Sequence, residues 1–237
     1  MKQSSGKIYR ANAAKVEAGK KYSLDEALSI VDSFQNRKFD ESIEVCINLG
    51  VDPKQSDQMV RGATTLPNGL GKPVRVACVV RGDAEREARE AGADHVGNDD
   101  LIEKIAGGWL DFDRLLTTPE SLKDLTKLAK ILGPKGLMPN KKTGTVTAEI
   151  GKSVKEQKLG KIEYKVEKAG VLHAIIGKKS FGPQKLKENF SVFFDAVLKA
   201  KPATSKGVYV RKVAIAPTMG PGIILDSAAL VNSAQAV

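Results

Sequence analysis

The sequence predicts two α/β domains, one a discontinuous split α/β sandwich built from both ends of the chain, the other a doubly wound α/β domain inserted into it. Three observations lead there. Residues 1–66 offer one clear helix and one clear strand, which cannot close a core of their own. Residues 68–159 alternate short strands with helices, the order that produces a parallel sheet. From Lys161 the pattern becomes antiparallel, with alternating strands around one long helix.

Each element has a local reason. Ser23-Leu24-Asp25-Glu26 carries the S-x-x-E spacing of a capping box. Leu24, Ala27, Leu28, Val31 and Phe34 follow at helical spacing, so an amphipathic helix begins there. Ile43, Val45, Ile47 and Leu49 alternate with Glu44, Cys46 and Asn48, the pattern of a strand with one buried face, ended by Gly50 and Pro53. The Gly/Pro cluster from Leu66 to Pro73 marks a change of character. Val74 to Val80 is a nearly continuous apolar run, as expected of a strand buried on both faces. Asp83 to Ala91 reads as a charged helix, His95-Val96 as a short strand, Asp99 to Ala106 as a helix and Leu115-Leu116 as a strand. Pro119 suits the first turn of a further helix. Leu132 to Asn140 is predicted as an irregular loop, and Val154 to Leu159 leads back out.

In the last third, Ile162, Tyr164 and Val166 alternate, Lys168-Ala169-Gly170 turns, and Val171 to Ile176 is the return strand. Gly182-Pro183 opens a helix with Leu186, Phe190, Phe193 and Val197 on one face, and Val208 to Ala216 is the last strong strand. The expected domains are therefore residues 1–67 with 160–237, and residues 68–159. Two short links join them, and Pro67, Asn68, Gly69, Gly71, Leu159 and Gly160 are the expected hinge.

The chain has 237 residues, 41% of them hydrophobic and 28% charged, which describes a soluble globular protein with a real core. Its longest apolar runs are far below the roughly 20 residues of a membrane span, so no membrane partner is expected. The N-terminal stretch shows no apolar signal region. With two cysteines in separate strand patterns, Cys46 and Cys78, a disulfide is not expected and a reducing cytoplasm is. The net charge of +10 is unevenly placed. Residues 1–66 hold ten basic and nine acidic groups and residues 67–159 hold sixteen and fourteen, whereas residues 160–237 hold twelve against five. Such an excess at one end attracts a polyanion.

Enzymatic signatures fail when tried. Gly151-Lys152-Ser153 resembles the end of a phosphate-binding loop, but the motif needs glycine where Val146 stands. Lys72 is followed by Pro73 rather than Ser or Thr. His95 and His173 are the only histidines and have no ligand-spaced partners, so no metal site is expected. Cys46 has no evident base, and Asp99-Asp100 and Asp111-Asp113 sit where carboxylates cap helices and turns. No catalytic residue and no cofactor is predicted. The alternative kept open is a nucleotide- or phosphate-ligand-binding enzyme using the middle domain.

An RNA-binding edge fits better. Lys38-Phe39 pairs a cation with an aromatic face at the start of the first strand, and Ser42 and Glu44 follow on its polar face, where they can meet bases or 2′-hydroxyls. A core position for Phe39 and a plain solvated charge at Glu44 are the competing readings. Lys201 to Gly222 supplies the other half: Lys201, Lys206, Arg211 and Lys212 beside a turn ending in Thr218, Met219, Gly220 and Pro221.

These residues carry a resemblance. The stretches 38–72, 90–97, 108–113, 131–146, 160–181 and 217–222 all have the form of the bacterial family of large-subunit ribosomal protein one, the mobile stalk protein; Ile131 to Asn140 is the most family-specific. The resemblance implies a split RNA-binding domain and an inserted Rossmann-like three-layer α/β domain. It implies binding to large-subunit rRNA, help in releasing deacylated tRNA from the exit site, repression of its own operon mRNA, and contact with other large-subunit ribosomal components in the cytoplasm. By motif match the family's RNA contacts fall on Lys38, Phe39, Ser42, Glu44, Thr218, Met219 and Gly220, and also on Lys168, Arg211 and Lys212. The chain departs from the usual pattern at Lys212, where Ser is frequent, and at Pro217, where Thr is frequent.

Overall fold

The computed structural model describes residues 6–235. The chain divides into two compact units, one running to Gly71 and resuming at Ile162, the other Lys72–Lys161. In chain order the first part of the outer unit holds α1 (Lys7–Ala13), α2 (Leu24–Ser33), β1 (Ser42–Leu49) and β2 (Arg61–Thr65). The inner unit holds β3 (Val76–Val79), α3 (Asp83–Glu90), β4 (His95–Gly97), α4 (Asp99–Ala106), β5 (Arg114–Thr117), the short turns α5 (Leu122–Leu125) and α6 (Ala129–Leu132), and α7 (Ile150–Lys158). Then come β6 (Lys161–Lys165), β7 (Val171–Lys178), α8 (Gly182–Lys199), β8 (Val210–Pro217), β9 (Ile223–Leu225) and α9 (Ser227–Gln235).

The capping box forms as its spacing requires. Ser23 accepts from the Glu26 N–H at 3.3 Å, and Glu26 Oε2 accepts from the Ser23 N–H at 2.9 Å. The Ser23 N–H and the Ser23 hydroxyl, both donating to Oε2, hold the Glu26 carboxyl below its usual range. Behind the cap, Ala27, Leu28, Val31 and Phe34 are buried against the outer core. α8 supplies the rest of that core with Leu186, Phe190, Phe193, Phe194 and Val197. The rings of Tyr164 and Phe193 meet edge to face at 5.7 Å. Burying such aromatic side chains stabilises by about 1.5–3 kcal/mol each.

The outer unit's main sheet is antiparallel in the order β7-β1-β8-β9. Here the structure corrects the sequence reading. β6 pairs with β2, not with the strand that follows it. The Glu167–Val171 turn closes locally, the Glu167 N–H donating to Val171 O at 2.9 Å, but Gly170 O then accepts from the Leu49 N–H at 2.9 Å and carries the chain to β1. Gly170 has φ of 77°, which redirects the backbone at no steric cost. Alternation of side chains fixes which face is buried; it does not fix which strand is the neighbour. The expected three strands and one helix after residue 160 are four strands and two helices, because β9 and α9 extend the unit.

In the inner unit the three strands are parallel in the order β4-β3-β5. The apolar run through β3 faces two ways, as its continuity predicts. Val76, Cys78 and Val80 pack with Ala88, Ile150 and Val154, while Ala77 and Val79 pack with Leu101, Ile105, Leu125 and Leu132. Helices therefore cover both faces. The stretch expected to lead back out is a helix, α7, whose Gly151 faces Glu87 and Ala91 of the α3 segment.

The linker residues have different surroundings. The Asn68 N–H donates to Asn189 Oδ1 at 3.0 Å, and Asn189 Nδ2 donates to Gly69 O at 3.0 Å and to Ile176 O at 2.7 Å. Asn68 and Gly69 are thus tied to α8 within the outer unit. Gly71 and Gly160 have φ of 72° and 99°, and Leu159 is exposed.

Candidate nucleic-acid interface

β1 lies between β7 and β8, so residues far apart in sequence share one open sheet face. Alternation in β1 sends Ile43, Val45, Ile47 and Leu49 into the core and leaves Glu44 exposed, with Ser42, Cys46 and Asn48 half-buried on the other side. Across the strand, Glu44 faces Ile175 and Ala216, Cys46 faces His173 and Ala214, and Asn48 faces Val171 and Lys212. The centre of this face carries Cys46, exposed His173 and Ala214, with Glu44 toward one end and Lys212 toward the other.

At one end the two predicted blocks are locked together. The Thr218 N–H donates to Ser42 O at 3.0 Å, the Thr218 hydroxyl donates to the same oxygen at 3.1 Å, and the Ser42 N–H donates back to Thr218 Oγ1 at 3.1 Å. The Met219 N–H donates to Glu41 Oε1 at 2.9 Å, and Arg37 Nη2 donates to Met219 O at 3.2 Å. The Gly220 N–H turns back to Pro217 O at 3.1 Å. A Cβ on Gly220 would sit 2.4 Å from Pro217 Cγ, so the turn needs glycine.

Phe39 is 53% exposed and Met219 51% exposed, so the core reading of Phe39 does not hold and both present apolar surface to solvent. Lys38 is exposed beside them. Glu44 is exposed and its carboxylate has no hydrogen bond or ion pair with the described residues. Lys178 Nζ donates to Ser42 Oγ at 2.9 Å, leaving that hydroxyl proton free to point outward. Lys179 Nζ donates to Phe34 O at 2.5 Å and to Asn36 Oδ1 at 2.7 Å. Ser180 Oγ donates to Asp40 Oδ2 at 2.6 Å, so the turn that follows β7 fixes the loop that carries Lys38 and Phe39.

Of the ten predicted residues the structure brings seven together: Lys38, Phe39, Ser42, Glu44, Thr218, Met219 and Gly220. Lys212 and Lys168 lie toward the other end of β1, about 20 Å along the strand at the usual rise per residue. Arg211 is the extra residue of a β-bulge, Asn48 and Leu49 pairing with Lys212 and Val210. Its side chain lines a cleft of about 800 Å³ with Lys199, Ser227 and Val231, apart from the open face that Lys212 shares.

The sequence reading missed Arg37, Glu41, Lys178 and Lys179. A signal for Glu41 was available: position 41 has the same parity as Ile43, Val45 and Ile47, which places it on the buried side. It is 4% exposed.

The phosphate-loop candidate has other duties. Gly151-Lys152-Ser153 forms the first turn of α7, and the Ser153 hydroxyl is buried, donating to Gly144 O at 3.1 Å. Lys72 pairs with Asp113 at 3.0 Å and Arg75 pairs with Asp111. Although partial burial raises the Asp113 carboxyl, hydrogen bonds from Lys72 and Arg75 outweigh it and leave a lowered pKa. Among the described residues no three His, Cys, Asp or Glu side chains are grouped to hold a metal ion, and no helix is long and apolar enough to cross a membrane. Both cysteines are free. Burial pushes the Cys46 thiol up, and that of Cys78 up to about 12.

Comparison with known proteins gives a consistent picture. The model of the ribosomal protein L1p/L10e family matches residues 31–221. The chain is 54% identical over 222 residues to large ribosomal subunit protein uL1 of Bdellovibrio bacteriovorus, covering 94% of this chain and 95% of that protein. It is 55% identical over 222 residues to uL1 of Solidesulfovibrio magneticus, covering 94% of each. It is 50% identical over 225 residues to uL1 of Syntrophobacter fumaroxidans, covering 95% of this chain and 96% of that protein.

Proposed function

Because the chain belongs to the ribosomal protein L1p/L10e family, we propose that its open sheet face and the Thr218–Gly220 turn bind large-subunit ribosomal RNA in the mobile stalk. It is a large-subunit ribosomal protein rather than an enzyme, and works in the cytoplasm as part of that subunit. The observation that carries the RNA reading is the lock between Ser42 and Thr218, which sets the exposed Phe39 ring and the exposed Met219 tip on one edge beside Lys38. Basic side chains hold the phosphate backbone, while the edge itself reads the shape of a structured RNA through bases and 2′-hydroxyls.

The same edge serves a second RNA in this reading: a similar fold in the chain's own operon mRNA, whose translation it represses. The stalk position also lets it assist release of deacylated tRNA from the exit site beside other large-subunit components. The two compact units act as domains, the inner one Rossmann-like. In this reading Pro67, Asn68, Gly69, Gly71, Leu159 and Gly160 form the hinge, Asn68 and Gly69 being held by α8 and Gly71 lying close to Lys178 and Phe181. Nucleotide binding by the inner unit loses support because the Ser153 hydroxyl is engaged internally with Gly144 O.

The test is reconstitution. Large subunits stripped of their own uL1 should bind one copy of the chain on sedimentation, and a Phe39→Ala, Thr218→Val double variant should stay in the supernatant. Equal binding of both proteins would overturn the assignment of the edge.

A further inference from the structure

Glu41 is the one charged side chain among the described residues that is buried. Burying a carboxylate is costly unless it is well partnered, and an apolar residue of similar volume is often the more stabilising choice. The position lies at the margin of the sheet, where no core contact calls for a charge. What the carboxylate does is accept the Met219 N–H, 178 residues away, at 2.9 Å. Arg37 takes the carbonyl of the same residue. Both backbone polar groups of Met219 are thereby held by side chains of the loop that also carries Lys38 and Phe39. That loop is itself fixed, because Glu41 O accepts from the Lys179 N–H at 2.8 Å.

We infer that Glu41, assisted by Arg37, is a positioning residue for RNA recognition: its carboxylate fixes the Met219 backbone in the conformation that RNA receives, without itself touching RNA. The inference rests on the RNA-binding reading above. The turn is tied at Thr218 by Ser42 and at Gly220 by Pro217 O, but neither bond holds the backbone of Met219 between them, whose freedom must be removed before or during binding. A charge-assisted hydrogen bond to the central amide removes it beforehand. The buried charge is then a stability cost kept at a functional edge.

The test compares the parent chain with Glu41→Ala, Glu41→Gln and Arg37→Ala, using a large-subunit stalk rRNA fragment and a scrambled RNA of equal length, with amide hydrogen exchange at Met219 read in the free proteins. Glu41→Ala should lose about 10- to 100-fold in affinity for the stalk fragment, as expected for a lost hydrogen bond to a charged group, with scrambled binding unchanged. Exchange at the Met219 amide should rise in parallel. Glu41→Gln keeps an acceptor oxygen and should restore most of both. Stalk affinity retained by Glu41→Ala, or stalk and scrambled binding falling together, would overturn the inference. If Glu41→Ala does not fold, Arg37→Ala decides: its stalk affinity should fall selectively, and an unchanged value counts against the clamp. A parent chain with no preference for the stalk fragment would remove the RNA reading itself, and the inference with it.

Discussion

Thr218 and Ser42, 176 residues apart, share three hydrogen bonds, and every backbone donor and hydroxyl proton of Thr218 is spent on that contact. The hydroxyl is therefore a pin between two segments before it is anything else. Thr218→Val should lower stalk rRNA affinity by about 1–3 kcal/mol by leaving Ser42 N–H without its partner, whereas Thr218→Ser should keep it. Binding isotherms of the two variants check this; equal affinities would mean that the pin is dispensable.

Phe39 should behave differently. With about half of its surface exposed it contributes little to the core, so Phe39→Ala should leave the melting temperature nearly unchanged. RNA affinity should fall by about 1–3 kcal/mol, the usual value of an aromatic stacking contact. A large loss of thermal stability would place the ring in the core after all.

Gly220→Ala adds a methyl where Pro217 already stands, 2.4 Å from its Cγ. The proline ring cannot swing aside as a flexible side chain would, so the turn must shift. The expected result is weakened stalk binding with the sheet intact, seen as unchanged far-ultraviolet circular dichroism beside a reduced association constant.

The two cysteines report on different places. Cys46 lies on the open face between His173 and Ala214, and Cys78 is buried in the inner unit. A thiol reagent should label Cys46 in the free protein and leave Cys78 untouched until unfolding. Bound stalk RNA should suppress labelling of Cys46. Undiminished labelling in the complex would move the RNA off the sheet.

Cys78 also gives the inner unit a pH dependence. Its folded thiol is raised to about 12, whereas an unfolded thiol ionises near 8.5. The folded state therefore binds the extra proton, so stability is full below about pH 8.5 and declines as pH rises toward 12. At pH 10 the decline is about 2 kcal/mol at 1.36 kcal/mol per unit. Urea titrations at pH 7.5 and 10 should show a larger loss in the parent chain than in Cys78→Ala, what remains in the variant including the share of the Cys46 thiol, which is also raised.

How much of this was legible in the sequence varies with what local pattern can encode. The capping box at Ser23 and the two-faced strand at Val76 were readable because each depends on residues adjacent in the chain. The pairing of β6 with β2 was not, since Arg61 to Thr65 shows no apolar alternation and all five residues are half-buried. α7 was hidden by Gly151 near its start and by the absence of a side-chain cap. At the site, the exposed aromatic and the glycine turn could be named from sequence. Their clamp could not, because Glu41 reads as a surface charge until its parity with Ile43 is noticed. Arg211 and Lys212 look equivalent in sequence, and a single bulged residue sends them to different places.

The most direct measurement is a salt titration of binding to the stalk rRNA fragment beside a scrambled RNA of the same length. Both affinities should fall with salt as counterion release requires, but a wide gap between them should persist from about 0.1 to 0.5 M, because the shared edge reads shape as well as charge. Two curves that coincide and fall together would show only a basic surface, and would contradict the account.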